Sequence, residues 1–202
     1  LPNQILLSGK EGIGKSTLSL HLTNYILSLN EEYKYSTNSY SINPENKSYK
    51  LIKNGSHPNF HLIDLLDDKK NIEISQIRKM IDYVNKSTFS DNRKIILINN
   101  VESLNINAIN ALLKVIEEPN ENVFFILIHN SSKKISKTLS SRCLIFKMYI
   151  NFDETLNITN QIIEDDLLNL INHDLLDRYS TPGQYVNLVN FALVYGYDLT
   201  KL

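Results

Sequence analysis

Cysteine is nearly missing: Cys143 is the only one. That excludes an intramolecular disulfide and any zinc ribbon, so no zinc is expected. It fits a reducing, cytoplasmic setting. Long apolar runs are missing too. No apolar run is long enough to span a membrane, and no signal peptide is expected at the start. Surplus charge is also lacking, with 21 Lys and Arg against 22 Asp and Glu and a net charge of −1. Such a balance argues against a free-standing nucleic-acid binder, so DNA contacts would be local or made through partners. No internal repeat is visible. The chain lacks an initial Met and starts almost directly on an apolar strand, so a fragment of a longer protein is expected. What is present is ordinary globular composition, 42% hydrophobic over 202 residues, enough for a real core and one or two domains.

The first feature that carries chemistry is Gly9-Lys10-Glu11-Gly12-Ile13-Gly14-Lys15-Ser16. It fits G-x-x-x-x-G-K-[ST], the phosphate-binding loop. Ile5 to Leu7 before it reads as a buried strand, and Thr17 to Leu29 after it as a helix. Glycines let backbone N–H groups wrap closely round phosphate oxygens. The helix N-terminus adds orphan donors and the positive end of its dipole. Lys15 would reach the outer phosphates, and the Ser16 hydroxyl would hold magnesium. The expected nucleotide is ATP or ADP, with Mg, on Gly9 to Thr17.

Leu18, Leu22, Tyr25, Ile26 and Leu29 share one helical face and predict the buried side of that first helix. Asn30 to Lys50 is polar and tyrosine-rich, and reads as a flexible excursion at first; Pro44 is placed to open a short helix and Gly55 to end it. Scattered surface tyrosines are the preferred reading over a base-stacking platform. Phe60 to Asp64 reads as a second strand. His57 and His61 near it lack the cysteine or carboxylate company of a metal site. A charged turn, Asp67 to Asn71, precedes a helix from Ser75 to Asn85 with Ile77, Ile81 and Val84 inward. Lys94 to Asn99 is a continuous apolar run with a polar end, as a doubly covered central strand requires. Asn105 to Glu118 is the strongest helix, with Ile109, Leu112, Leu113 and Ile116 as its stripe and Pro119 as its stop. Val123 to Ile128 is another buried strand. A helical segment holds Thr138 to Cys143, and Leu144 to Phe146 closes the sheet. This alternation predicts an α/β fold, a parallel sheet with helices on both faces. The carboxyl ends of its strands, where the loop, Asn99 and Asn130 fall, form the ligand side. From Asn151 helices take over: Glu154 to Ile163, Asp165 to Leu176, Pro182 to Tyr195. Residues 1–149 are read as the nucleotide domain and 150–202 as a small helical domain.

Asn110-Ala111-Leu112-Leu113-Lys114, Glu117-Glu118-Pro119 and Ser141-Arg142-Cys143 together resemble the signature of bacterial clamp-loader AAA+ subunits. His57-Pro58-Asn59 and Thr181-Pro182-Gly183 are similar to the delta-prime branch of that family. The resemblance runs from Ile5 to about Leu193. It implies a RecA-like P-loop domain, a helical lid and a collar domain, with the expectation that the 202 residues leave out the collar and part of the lid. It also implies DNA polymerase III clamp-loader partners: motor and clamp-opening subunits, with the sliding clamp and primer-template DNA reached through the assembly.

Two departures shape the expected function. Motor subunits carry Asp-Glu at the end of the central strand, for the magnesium shell and for polarising water. Here Asn99 and Asn100 stand there, neutral and unable to take a proton. Glu102, two residues on, is the remaining candidate base. On the lid, where motor subunits place an arginine, Gln184 follows Pro182-Gly183. Asn130 is the sensor candidate. Arg142 is kept, and the family's arginine at this point reaches a neighbour's ATP site. Cys143 reads as a packing residue rather than a nucleophile. The expectation is a subunit that completes a neighbour's site and hydrolyses ATP poorly itself. An active motor ATPase of the same loader and a P-loop kinase of a small metabolite are the alternatives.

Overall fold

The computed structural model describes residues 3–67, 69–86, 93–118 and 122–201. Asp68 of the charged turn and Pro119, the expected helix stop, lie outside the described residues. The chain divides into two compact units. One holds Leu1–Ser8 and Ser16–Phe146; the other holds Gly9–Lys15 and Lys147–Leu202.

The first unit is a five-stranded parallel sheet with its helices. In chain order come β1 (Gln4–Gly9), α1 (Lys15–Leu27), α2 (Lys47–Lys53), β2 (Phe60–Ile63), α3 (Ile74–Asn85) and β3 (Lys94–Ile98). A 3₁₀ turn (Val101–Ser103), α4 (Ile106–Glu117), β4 (Val123–Asn130), α5 (Lys137–Ser140) and β5 (Leu144–Lys147) follow. The strands lie in the order β2-β3-β4-β1-β5. β3 is buried at every position, which is what its unbroken apolar run predicts for a strand covered on both sides. Phe60 to Ile63 pair with Ile95 to Ile98, and Lys94 to Ile98 with Val123 to Leu127, all parallel. Right-handed crossovers put α3 and α4, which step the same way along the sheet, on one face; the opposite step from β1 to β2 puts α1 on the other. The direction of winding reverses between β4 and β1. Crevices for ligands form beyond the carboxyl ends of strands at such a reversal.

Side chains explain where the helices start and stop. Asn105 Oδ1 accepts from the N–H of Ala108 and opens α4. Glu73 and Gln76 form a capping box at the start of α3. The other end of α3 is closed from a strand. Buried Lys94 donates from Nζ to the carbonyls of Tyr83 at 2.8 Å, Val84 at 3.2 Å and Lys86. Burial, with Lys86 adding to it, lowers the Lys94 pKa. α2 begins at Lys47 with Asn46 as its cap, three residues beyond Pro44. Before it, Ser36 and Ser41 form an antiparallel bridge in the tyrosine-rich stretch.

The expected buried face of α1 is corrected. Ser19, Thr23, Asn24, Leu27 and Ser28 are buried, whereas Leu18, Tyr25 and Leu29 are exposed. Two of the inward polar groups are bonded, Asn24 Nδ2 donating to Asn46 Oδ1 at 2.8 Å and Ser28 Oγ accepting from the N–H of Tyr35 at 3.0 Å, whereas Thr23 Oγ1 and Asn24 Oδ1 are buried without a partner. Small side chains let a helix approach its support closely, and each hydrogen bond made offsets the cost of burying that polar atom. In α3 and α4 the inward stripes are Ile77, Met80, Val84 and Ala108, Leu112, Ile116. Ile81, Ile109 and Leu113 are partly buried beside them.

The second unit is helical: α6 (Phe152–Ile163), α7 (Leu167–Leu170), α8 (His173–Arg178) and α9 (Pro182–Tyr195). Asn151 and Glu154 make a capping box on α6. The single helix expected over Asp165 to Leu176 is two, because buried Ile171 is extended and Asn172 caps a new start. α9 has Pro182 at its first position and Gly196 in the left-handed conformation past its end. Tyr185 is fully buried at the centre of this unit, and its hydroxyl bridges to the carbonyls of Leu176 and Tyr179.

Candidate functional site

The loop between β1 and α1 belongs to the helical unit. Gly12 and Gly14 have φ of +80° and +93°, where side chains are strained. The first turn of α1 carries no acid, and anions are favoured at helix N-termini. Ser16 and Thr17 lie exposed on that turn. Lys15 is buried, and its Nζ donates to the carbonyls of Gly9 at 2.8 Å and Lys10 at 2.6 Å.

The N-terminus of α9 clasps this loop. The Thr181 hydroxyl donates to the carbonyl of Glu11 at 2.7 Å, and the Gly183 N–H donates to the carbonyl of Gly12 at 2.9 Å. Lys10 Nζ donates to Ser180 Oγ at 3.1 Å. Thr181-Pro182-Gly183-Gln184 spells a capping box, yet the Thr181 hydroxyl makes no cap bond to its own helix. It is turned to the loop instead. Gln184 Oε1 accepts from the Ser180 N–H at 3.0 Å, so this side chain serves its own helix start. The clasp was hidden from the sequence because its acceptors are backbone carbonyls.

A second cluster lies in the sheet unit, at the carboxyl ends of β2, β3 and β4. Asn99 Nδ2 donates to Asp64 Oδ2 and Asn100 Nδ2 to Asp64 Oδ1, both at 2.8 Å. The Ile63–Ile98 register brings these residues side by side. A carboxylate only accepts, so the amide nitrogens must face it. Asn100 is left-handed, with φ 52°, a conformation asparagine tolerates better than most residues. Asp64 is the residue that sequence reading missed; only the register reveals it. Glu102 sits on the 3₁₀ turn with a side chain 2% exposed. Its Oε2 accepts from the Asn130 N–H at 3.2 Å, and Lys133 Nζ lies 3.7 Å from Oε1. The Asn130 side chain accepts from the Ser132 N–H at 3.0 Å. His129 beside it bonds to Ser8 Oγ and to the Lys133 carbonyl, both at 3.0 Å.

Arg142 follows α5. Its Nη2 is 2.6 Å from Glu117 Oε1, and its Nη1 donates to the Thr138 carbonyl at 2.9 Å. Cys143 packs against the core, and burial pushes its thiol up to about 11, far from the thiolate a nucleophile needs. His57 and His61 are not near neighbours in chemistry: His57 bonds to Ser48, and His61 stacks on Tyr83 with centroids 5.1 Å apart.

Taken as a donor set, the loop fits a polyphosphate. Two glycines take left-handed φ, the helix start carries no acid, and the set includes Lys15, whose Nζ rests on the Gly9 and Lys10 carbonyls, and the exposed Ser16.

Residues 1–151 match a family model described as DNA polymerase III, delta subunit. The chain is 30% identical over 139 residues to DNA polymerase III subunit delta' of Pseudomonas aeruginosa, covering 69% of this chain and 40% of that protein. It is 32% identical over 173 residues to DNA polymerase III subunit gamma of Buchnera aphidicola subsp. Schizaphis graminum, covering 84% and 41%. The chain thus spans about two fifths of the length of these relatives. A solved DNA polymerase III gamma subunit-related protein from Thermotoga maritima superposes with TM-score 0.59 at 22% identity, over 91% of this chain and 52% of that one. The Thermotoga maritima RuvB Holliday junction branch migration motor gives 0.50 at 17%, over 97% and 57%. At such identities these structures speak for the fold.

Proposed function

The chain belongs to the delta-prime family of DNA polymerase III clamp-loader subunits, and from that premise we propose that it completes a neighbour's ATP site without turning over ATP at its own. The observation that carries this reading is the pair Asn99 and Asn100 bonded to Asp64. Hydrolysis needs an available carboxylate to polarise water and others to hold the magnesium shell. The two asparagines are neutral, and both oxygens of Asp64 are already accepting from them. Glu102 is buried and braces the Asn130 backbone, so it is not presented as a base. Gln184 brings no charge and serves its own helix.

Binding is a separate matter. In this reading Gly9 to Thr17 hold ATP or ADP. Lys15 supplies charge to the outer phosphates, and Ser16 offers an oxygen to magnesium, which when bound neutralises phosphate charge. Arg142 is the group exported. A guanidinium reaching a neighbour's γ-phosphate stabilises transition-state charge, on the order of 10³- to 10⁵-fold in rate. The partners in this reading are the motor and clamp-opening subunits, with the sliding clamp and primed DNA reached through them, in the cytoplasm. Among the described residues no helix is long and apolar enough to cross a membrane.

Steady-state phosphate release by the isolated chain tests the first half. We expect turnover far below the ~10 s⁻¹ of an ordinary enzyme, together with saturable binding of a fluorescent ATP analogue that Lys15→Ala abolishes. Turnover at motor rates would restore the active-ATPase alternative. Arg142→Ala in a reconstituted loader tests the second half, and unchanged DNA-stimulated hydrolysis would remove the exported arginine.

A further inference from the structure

α5 is only one turn long, and side chains from its last residue onward close its carbonyl end. Ser140 Oγ donates to the Lys137 carbonyl at 3.1 Å, Ser141 Oγ to that of Thr138 at 3.1 Å, and Cys143 Sγ to that of Leu139 at 3.4 Å. Fully buried Leu139 and partly buried Cys143 fasten the turn to the core. Arg142 lies between these anchors, with a side chain 35% exposed. A surface arginine normally samples many rotamers. This one is held at both terminal nitrogens, by the Thr138 carbonyl of its own turn and by Glu117, the last residue of α4.

We infer that Glu117 is a positioning residue for Arg142, fixing the guanidinium fork before it meets a neighbour's polyphosphate. The inference rests on the exported-arginine reading above. A guanidinium has five N–H groups. One bond to Thr138 and one to Glu117 leave three for a ligand. Fixing the side chain beforehand removes an ordering cost from the reacting complex. The Glu117 carboxylate also opposes a nearby phosphate by like charge, so the two effects have opposite signs and a rate measurement tells which prevails. Placement at the end of α4 matters here. α4 is packed through Ala108, Leu112 and Ile116, so its last residue is a firm support.

The test uses a loader reconstituted from the full-length chain and its motor partners. kcat and KM for ATP are measured with primed DNA, alongside the assembly state. Glu117→Ala should lower kcat about fivefold, the upper end for an exposed ion pair, with KM for ATP and assembly unchanged. Glu117→Gln keeps an acceptor oxygen at the same reach and should recover most of that loss. Adding Glu117→Ala to Arg142→Ala should cost nothing further, because there is nothing left to position. Three results would overturn the role. One is a Glu117→Ala loader as fast as wild type, or faster, while Arg142→Ala is slow. Another is an additive double variant, which would place the effect of Glu117 elsewhere. The third is no recovery with Glu117→Gln. A wild-type rate for Arg142→Ala is a different failure. It rejects the exported arginine itself, and the positioning role with it.

Discussion

Asn99 and Asn100 do more than remove two acids, because their amides each donate to one oxygen of Asp64. Asn99→Asp therefore does not simply restore a hydrolytic site. It sets two carboxylates side by side, where like charge raises the pKa of one of them. We expect Asn99→Asp to lower stability by about 1–3 kcal/mol in urea unfolding, the range for leaving a buried polar partner unmet, and to leave ATP turnover unchanged. A gain of hydrolysis from this single change would show that Asp64 is no obstacle. A second residue ties stability to pH. The Nδ1 of His57 accepts from the Asn59 N–H at 3.1 Å, so its proton sits on Nε2, facing Ser48 Oγ at 3.0 Å. Ser48 in turn donates to Glu31 at 2.6 Å. Burial lowers the His57 pKa and Lys47 adds to this, against the opposing pull of Glu31. The unfolded chain then binds this proton at a higher pH than the folded one, near the ordinary ~6.5. Stability from His57 is full above that value and is lost as pH falls from it through the lowered folded pKa. His61 is lowered by burial too. The measurement is therefore a difference: between about pH 7.5 and about pH 5.5, the urea midpoint of wild type should fall further than that of His57→Gln. Equal falls would clear His57 of the effect.

At the scale of elements, the clasp between the loop and α9 turns on two glycines. A Cβ on Gly183 would lie 2.7 Å from the Gly12 Cα and 2.9 Å from the Gly12 carbonyl oxygen, backbone atoms with nowhere to move. Gly183→Ala should cost about 1–3 kcal/mol as overpacking, and Thr181→Val about 1 kcal/mol for the lost hydroxyl bond. If both melt with wild type, the clasp contributes nothing to the fold. The sequence displayed some of these elements and concealed others for definite reasons. β3 was legible because a doubly covered strand is apolar throughout. α9 was legible over Pro182 to Tyr195, and the structure adds Gly196 as its left-handed cap. The inward face of α1 was not, because apolar periodicity marks Leu18 and Leu29 while small polar residues such as Ser19 and Thr23 are the buried ones. The missing acids at Asn99 and Asn100 could be read directly, but Asp64 required the register between two strands distant in sequence. Arg142 was legible from its motif, and Glu117 from the same signature, but not the ion pair that joins them.

Over the whole molecule, the loop Gly9–Lys15 is covalently part of the β1–α1 connection yet groups with the helical unit. Its shape is held from that side by Thr181 and Gly183. The helical unit has its own core around Tyr185, with Leu167, Ile171, Val189, Ala192 and Leu199 buried about it. Tyr185→Ala, remote from the loop in sequence and leaving every residue from Gly9 to Thr17 unchanged, should destabilise this unit by about 3–5 kcal/mol. If the clasp shapes the loop, affinity for the ATP analogue should fall in step with the fraction of helical unit melted. Limited proteolysis within residues 150–201 would report that fraction, and the analogue's fluorescence would report binding on the same samples. Binding that survives after the helical unit has become protease-sensitive would show the loop to be self-supporting. It would also return nucleotide recognition to the strand and helix that flank the loop. Coincident loss would mean that in this chain the helical unit is a component of the phosphate site even without a charged lid residue at Gln184.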